Sequence, residues 1–260
     1  MLPTLFLSHG SPMTVLENTP ARHFLETLGS LFPRPKAILA ISAHWETDTP
    51  QLSAPAQNTT IHDFYGFPAA LYAIRYTPPP APELAAQARD LLVGAGLPAK
   101  INTTRGLDHG AWTPLVLAYP QADIPVLQLS VQTQLGAAYH LALGAALAPL
   151  RAQDVLILGS GSFTHDLRRF RRGMPPLDAP ETQDVVEFSA WMNREILAAN
   201  LGALANYRTL APYAADQHPT EEHILPLHAA IAAAGPNPAT THLHSSVENG
   251  FLRMDAYAFN

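Results

Sequence analysis

The chain contains no cysteine. That excludes a disulfide framework and any thiolate-bound metal, so a metal held here must be ligated through nitrogen and oxygen. Charge is scarce as well: 14% of the 260 residues are Asp, Glu, Lys or Arg, and 15 basic against 21 acidic residues leave a formal net charge of −6. A nucleic-acid binder would show a basic patch or stripe, so no nucleic-acid partner is expected. No uninterrupted apolar run approaches the ~18 residues of a membrane-spanning helix, so no membrane partner is expected either. The first residues lack a basic stretch followed by a long apolar one, the mark of a secretion signal. The expectation is a soluble cytoplasmic protein. Internal repeats and low-complexity linkers are absent too.

What is present is apolar content of 47%, enough for a large core, together with 25 prolines and 12 histidines. The prolines fall mainly between periodic segments, where they punctuate loops. The histidines follow a grammar. Leu5-Phe6-Leu7-Ser8-His9-Gly10-Ser11-Pro12 is a short apolar run that ends on a histidine and breaks at glycine and proline. Ile38-Leu39-Ala40-Ile41-Ser42-Ala43-His44-Trp45 repeats the pattern, and Val155-Leu156-Ile157-Leu158-Gly159-Ser160-Gly161 leads through Ser162-Phe163-Thr164 to His165. Open α/β sheets bind ligands at the carboxyl ends of their strands, which makes these ends a candidate metal site. An imidazole held on a rigid strand end suits Zn or Fe.

Strands are read at residues 4–8, 37–43, 125–131 and 154–160, with helices at about 20–31, 83–95, 136–150, 181–200 and 220–234. A short helix is read near 114–118, and strand-like residues 240–247 and 251–258 finish the chain. Alternating strands and helices imply an α/β protein, a three-layer α/β/α arrangement around a central mixed, largely parallel sheet. The long segment 45–80, rich in Thr, Pro and aromatics, reads as an ordered loop covering a site. Arg168 to Arg172 reads as a surface cluster. The Ala-rich helices 136–150 and 222–234 could pack internally or against a partner, so an oligomer is possible.

Other histidines divide by context. Thr220 is a plausible N-cap of the last helix, with Glu222-His223 offering a ligand and a nearby carboxylate. The segment does not match H-E-x-x-H. His228, five residues on, reads as packed or solvent-facing, and His218 as a loop residue bordering the site. Asp108-His109-Gly110 and Thr164-His165-Asp166 suit acid–base work, since histidine titrates near neutrality; neighbours in sequence usually point apart, so neither implies a His–Asp pair. His62 lies in the aromatic loop and is expected to line the site. His23, His140, His242 and His244 read as structural or surface residues. Gly159-Ser160-Gly161-Ser162 fails both as a serine nucleophile elbow and as a dinucleotide fingerprint, leaving a tight strand-to-loop turn.

Five stretches in order carry a resemblance: Leu7-Ser8-His9-Gly10-Ser11-Pro12-Met13, Ile41-Ser42-Ala43-His44-Trp45, Thr60-Ile61-His62-Asp63-Phe64, Asp108-His109-Gly110-Ala111-Trp112 and Pro219-Thr220-Glu221-Glu222-His223-Ile224-Leu225-Pro226-Leu227. Together the chain resembles the class III extradiol ring-cleaving dioxygenases, in the DOPA 4,5-dioxygenase branch. The resemblance implies a single catalytic domain over residues 1–260 that cleaves a DOPA-like catechol with O2. It implies one non-haem divalent metal, Fe2+ for oxygenation or Zn2+ as bound, on His9, His44 and His223, with Glu222 behind them and a Glu ligand as the alternative. His165 would be the catalytic histidine, and His109 would bind substrate or assist proton transfer. His62 and His218 would contribute to substrate binding. The chain departs from the family at Phe163, where family members often carry Asn or a small residue and where the larger ring could narrow the pocket. A zinc hydrolase or a non-catalytic metal-binding protein on the same scaffold is the competing reading.

Overall fold

The computed structural model describes residues 1–260. Its strands are β1 (Thr4–Ser8), β2 (Ala37–Glu46), β3 (Gln51–Ser53), β4 (Lys100–Asn102), β5 (Val126–Val131), β6 (Val155–Gly161), β7 (Thr240–His244), β8 (Val247–Glu248), β9 (Leu252–Arg253) and β10 (Ala256–Phe259). The helices are α1 (Pro20–Leu31), α2 (Ala69–Ala73), α3 (Pro82–Gly94), α4 (His109–Ala118), α5 (Gly136–Leu147), α6 (Gln183–Leu197), α7 (Leu201–Ala205), α8 (Tyr207–Leu210), α9 (Ala214–Gln217) and α10 (Leu225–Ala233).

Eight strands form one sheet in the order β4-β3-β5-β2-β6-β1-β10-β7, and β8 and β9 form a small separate ribbon. The four central strands run parallel, while β3 meets β5, and β10 meets β1 and β7, in antiparallel fashion. This is the expected mixed, largely parallel sheet. Strands covered on both faces read as continuous apolar runs, and β2 shows why. Ile38 and Ala40 join a core with Leu5, Leu7, Trp112 and the α1 residues Leu25 and Leu28. Leu39 and Ile41 face the opposite way, into a core with Leu92, Leu143, Leu147 and Ala229. Helices therefore cover both faces, giving three layers.

Register decides where the chemistry can sit. Leu7 pairs with Ser160 and Ser8 with Gly161, while Ser42 on the other side also pairs with Ser160. The carboxyl ends of β1, β2 and β6 thus share one edge of the sheet.

Close approach of α10 completes that edge. Every residue of α10 is buried, and the helix packs on α5 and β6, so the two Ala-rich segments pack against each other. A Cβ on Gly159 would lie 2.3 Å from the Pro226 carbonyl oxygen, and one on Gly161 only 2.0 Å from that of His223. The sequence reading of this Gly-x-Gly as a turn is replaced: both glycines lie inside β6, and their missing side chains let residues 223–226 dock on the strand. Ser162 N–H donates to the His223 carbonyl at 2.9 Å, sealing the contact.

Several boundaries differ from the sequence reading. The last helix begins at Leu225 rather than near Thr220, whose hydroxyl instead donates to Glu222 at 3.0 Å, so Thr220 caps nothing. Helix α4 begins at His109, not near 114, because buried Asp108 is its N-cap and accepts from Ala111 N–H. The 45–80 segment also holds β3 and α2, too short to show a period.

Candidate active site

His9 leaves β1 with its backbone N–H on the Gly161 carbonyl at 3.0 Å, and Gly10 follows with φ +68°. That left-handed turn stops the strand, and a side chain there would meet Met254 and Thr14 at 2.6 Å; glycine is the residue that fits. His44 lies near the end of β2. His223 lies in the turn that precedes α10. Their Nε2 atoms converge: His9 to His44 is 3.0 Å and His44 to His223 is 3.2 Å.

The outer nitrogens explain the convergence. His9 Nδ1 lies 3.0 Å from the Ser160 hydroxyl, which itself donates to the Gly110 carbonyl, so Ser160 accepts from His9 Nδ1–H. His223 Nδ1 faces Glu222 Oε1 at 3.0 Å, and His44 Nδ1 lies 3.5 Å from Asp63 Oδ2. An acceptor behind each ring places hydrogen on Nδ1 and leaves the Nε2 lone pair bare, the arrangement of metal-ligating histidines. Three bare lone pairs at this separation repel unless a cation lies between them. Nitrogens that share one metal at about 2.1 Å lie roughly 3.0–3.4 Å apart, the range of the separations seen here, so the donor set fits a metal.

Electrostatics agree. Burial, reinforced by the neighbouring imidazoles His44, His109 and His165, pushes His9 well below its ordinary pKa, and burial does the same to His223 with help from His165 and His44. His44 falls to about 3, chiefly through burial and then His109, against an opposing pull from Asp63. All three rings are neutral at pH 7, as ligation requires.

Two further imidazoles flank the three. The His109 ring centroid is 3.8 Å from that of His44, and His165 lies parallel on His223 at 3.4 Å. Burial lowers His165 to about 3, with His44 and His109 adding to the effect. Its backbone N–H is fixed on the Gln217 carbonyl at 2.9 Å.

Residues 3–252 match the family model described as the catalytic LigB subunit of aromatic ring-opening dioxygenase. The chain belongs to this family, the extradiol ring-cleaving dioxygenases. It is 44% identical to the 4,5-DOPA dioxygenase extradiol of Beta vulgaris, over 98% of this chain and 96% of that protein. Identity to the protein of the same name from Mirabilis jalapa is 39%, over 100% and 97%, and to that from Escherichia coli (strain K12) 36%, over 97% and 93%. A crystal structure of an uncharacterized Escherichia coli K12 protein superposes with a TM-score of 0.80 at 30% identity, covering 100% of both chains. Dioxygenases of this family use a non-haem metal, and the group His9, His44 and His223 is able to bind one.

Within this dioxygenase fold, some expected residues stand elsewhere than the sequence suggested. His218 is fully buried behind the site, its Nε2 donating to the Phe163 carbonyl at 2.9 Å and its ring between Phe188 and Tyr207. It supports the His165 segment from behind and offers no surface to a substrate. Phe163 does not narrow the pocket; it is buried in the core against Phe188 and Tyr257. His62 is half-buried in a layer with Phe64, Tyr72 and Trp112, its Nε2 on the Ile74 carbonyl at 3.2 Å. His228 is packed, not solvent-facing. Arg168 and Arg169 are drawn to Asp166, at 2.6 and 3.3 Å, so Asp166 does not serve His165. Sequence reasoning missed Asp63 and Ser160, which act across 46 and 151 positions of chain and leave no local signal.

Proposed function

We propose that this dioxygenase opens the ring of a DOPA-like catechol beside its two hydroxyls, with O2 as co-substrate and with His9, His44 and His223 as the ligands of Fe2+. The observation that supports the ligand set best is the convergence of the three bare Nε2 atoms at 3.0 and 3.2 Å. Bound there, Fe2+ would supply the one-electron exchange with O2 that redox-inert Zn2+ lacks.

The protein's own groups do the rest. His165, neutral at pH 7 and stacked on His223, takes a proton from a catechol hydroxyl at its free ring nitrogen and later returns one. His109, on the opposite flank, accepts a hydrogen bond or a proton from a substrate hydroxyl. Glu222, Ser160 and Asp63 hold the ligand rings in direction. Pairing of β1 with β10 closes the N- and C-terminal strands into one sheet, which supports reading residues 1–260 as one catalytic domain. The names of the similar plant and bacterial proteins, 4,5-DOPA dioxygenase extradiol, support DOPA as the first substrate to try.

The three-histidine set also suits a hydrolytic Zn2+, so one experiment separates the two chemistries. Metal-free protein is loaded anaerobically with Fe2+ or Zn2+, then given L-DOPA and O2. Oxygen uptake with a yellow ring-opened product from the iron form alone is the expected result. No uptake with any catechol, alongside ester or amide hydrolysis by the zinc form, overturns the proposal.

A further inference from the structure

We infer that Asp63 is a positioning residue that sets the tautomer of His109 and the direction of His44 through one carboxylate. The inference rests on the reading of His109 as an acid–base group. Asp63 Oδ1 accepts the His109 backbone N–H at 3.0 Å, and Oδ2 faces His109 Nδ1 at 2.9 Å and His44 Nδ1 at 3.5 Å. A backbone N–H can only donate and an ionised carboxylate can only accept. Both oxygens are therefore acceptors, hydrogen sits on His109 Nδ1, and His109 Nε2 is left bare to receive a proton or hydrogen bond from a substrate hydroxyl.

The carboxylate is delivered by a strap anchored to its own target. Ile61 N–H donates to the Leu107 carbonyl at 2.7 Å, and Trp112 Nε1 donates to the Ile61 carbonyl at 2.9 Å. Trp112 stands three residues after His109 in α4. Helix α4 thus carries the imidazole and also ties down the loop whose Asp63 orients it. The sequence neighbour Asp108 is unavailable for that task, because its two oxygens are taken by Ser42, Gln128, Arg105 and the α4 cap.

Asp63→Asn tests this sharply. Asparagine has one acceptor and one donor in place of two acceptors. Its oxygen must stay on the His109 backbone N–H, which puts its amide N–H against His109 Nδ1 and drives the proton to Nε2. At saturating Zn2+, nitrogen-15 NMR is expected to show His109 with hydrogen on Nδ1, and the Asp63→Asn variant with hydrogen on Nε2, while zinc affinity falls with the loss of the acceptor behind His44. In the Fe2+ enzyme kcat should fall at least ~10-fold, the scale of losing a partner of this kind, with KM within about 3-fold. Added to His109→Ala, the same substitution should cost less than about 2-fold more, because residues acting through one another are not additive. Hydrogen on Nε2 in the unsubstituted protein, multiplicative losses in the double variant, or an unchanged kcat per bound metal in Asp63→Asn would each overturn the inference. The tautomer measurement needs no turnover, so a failure of the dioxygenase proposal with L-DOPA would not be mistaken for a failure of this one.

Discussion

His165 lies flat on His223, ring centroids 3.4 Å apart and planes 16° from parallel. On the proposed reading the two stacked rings have different tasks, His223 as a metal ligand and His165 as the acid–base group. His223 turns its Nε2 toward His44, at 3.2 Å, whereas His165 takes its position from stacking and from the Gln217 carbonyl. His165→Ala should therefore retain close to one metal per chain and lose kcat by about 10²–10⁴, the usual contribution of a general acid–base group. His44→Ala should lose the metal itself. Metal analysis beside steady-state kinetics checks both, and parallel loss of metal in the two variants would make His165 a ligand.

Removing the metal should destabilise the fold, since the bare lone pairs of His9, His44 and His223 then face one another. At 100 times the dissociation constant, a ligand that binds only the folded state adds about 2.7 kcal/mol. For a chain of this size that raises Tm by roughly 5–10 °C. Thermal melts with Zn2+ and with a chelator should differ by that amount, and His9→Ala should abolish the difference. A Tm indifferent to metal in the unsubstituted protein would count against the site.

Much of the candidate site was legible because β1 and β2 display it locally: an apolar run buried on both faces, then a histidine where the run stops. The layers were legible for the same reason, as was the pairing of Glu222 with His223. What was illegible is long-range. Asp63 and Ser160 reach their histidines only through the topology. Periodicity is silent on which way a loop side chain turns, so His218 and Phe163 read as pocket residues although both point into the core. The three-residue strands β3 and β4 are shorter than any alternation that could announce them.

The Gly159–Gly161 pair yields a prediction from the same lesson. Gly161→Ala sets a methyl group 2.0 Å from the His223 carbonyl oxygen, and backbone cannot rotate aside as a side chain can. Overpacking of this kind costs about 1–3 kcal/mol, and here the displaced segment carries His223. The variant should melt several degrees lower and bind metal more weakly. Gly94→Ala is the control: nothing lies within 4 Å of a Cβ there, so the variant should bind metal normally and melt no lower. Equal behaviour of the two variants would show that β6 and the 223–226 segment are not in close contact.

His140 contributes to the response to acid. Its Nδ1 donates to the Gly136 carbonyl at 2.8 Å while its Nε2 accepts from Gln132 N–H at 3.2 Å. Both nitrogens are satisfied only in the neutral ring, because a second proton would oppose the Gln132 N–H. Burial lowers the pKa to about 4, with the Gly136 bond opposing and His228 assisting. Unfolded, the same ring titrates near 6.5. Between these values the unfolded chain binds the proton and the folded one does not, so stability falls as pH drops from about 6.5 to about 4 and the loss levels off below. By pH 5 the loss from this residue is about 2 kcal/mol. Urea unfolding of metal-free protein at pH 8 and pH 5 measures it against His140→Gln, which cannot titrate. The variant should be less stable at pH 8 for want of the His140 hydrogen bonds, yet lose about 2 kcal/mol less on acidification. His9, His44, His165, His218, His223 and His228, also lowered by burial, are present in both proteins and cancel. An equal acid loss in the two would mean that His140 takes up its proton without unfolding.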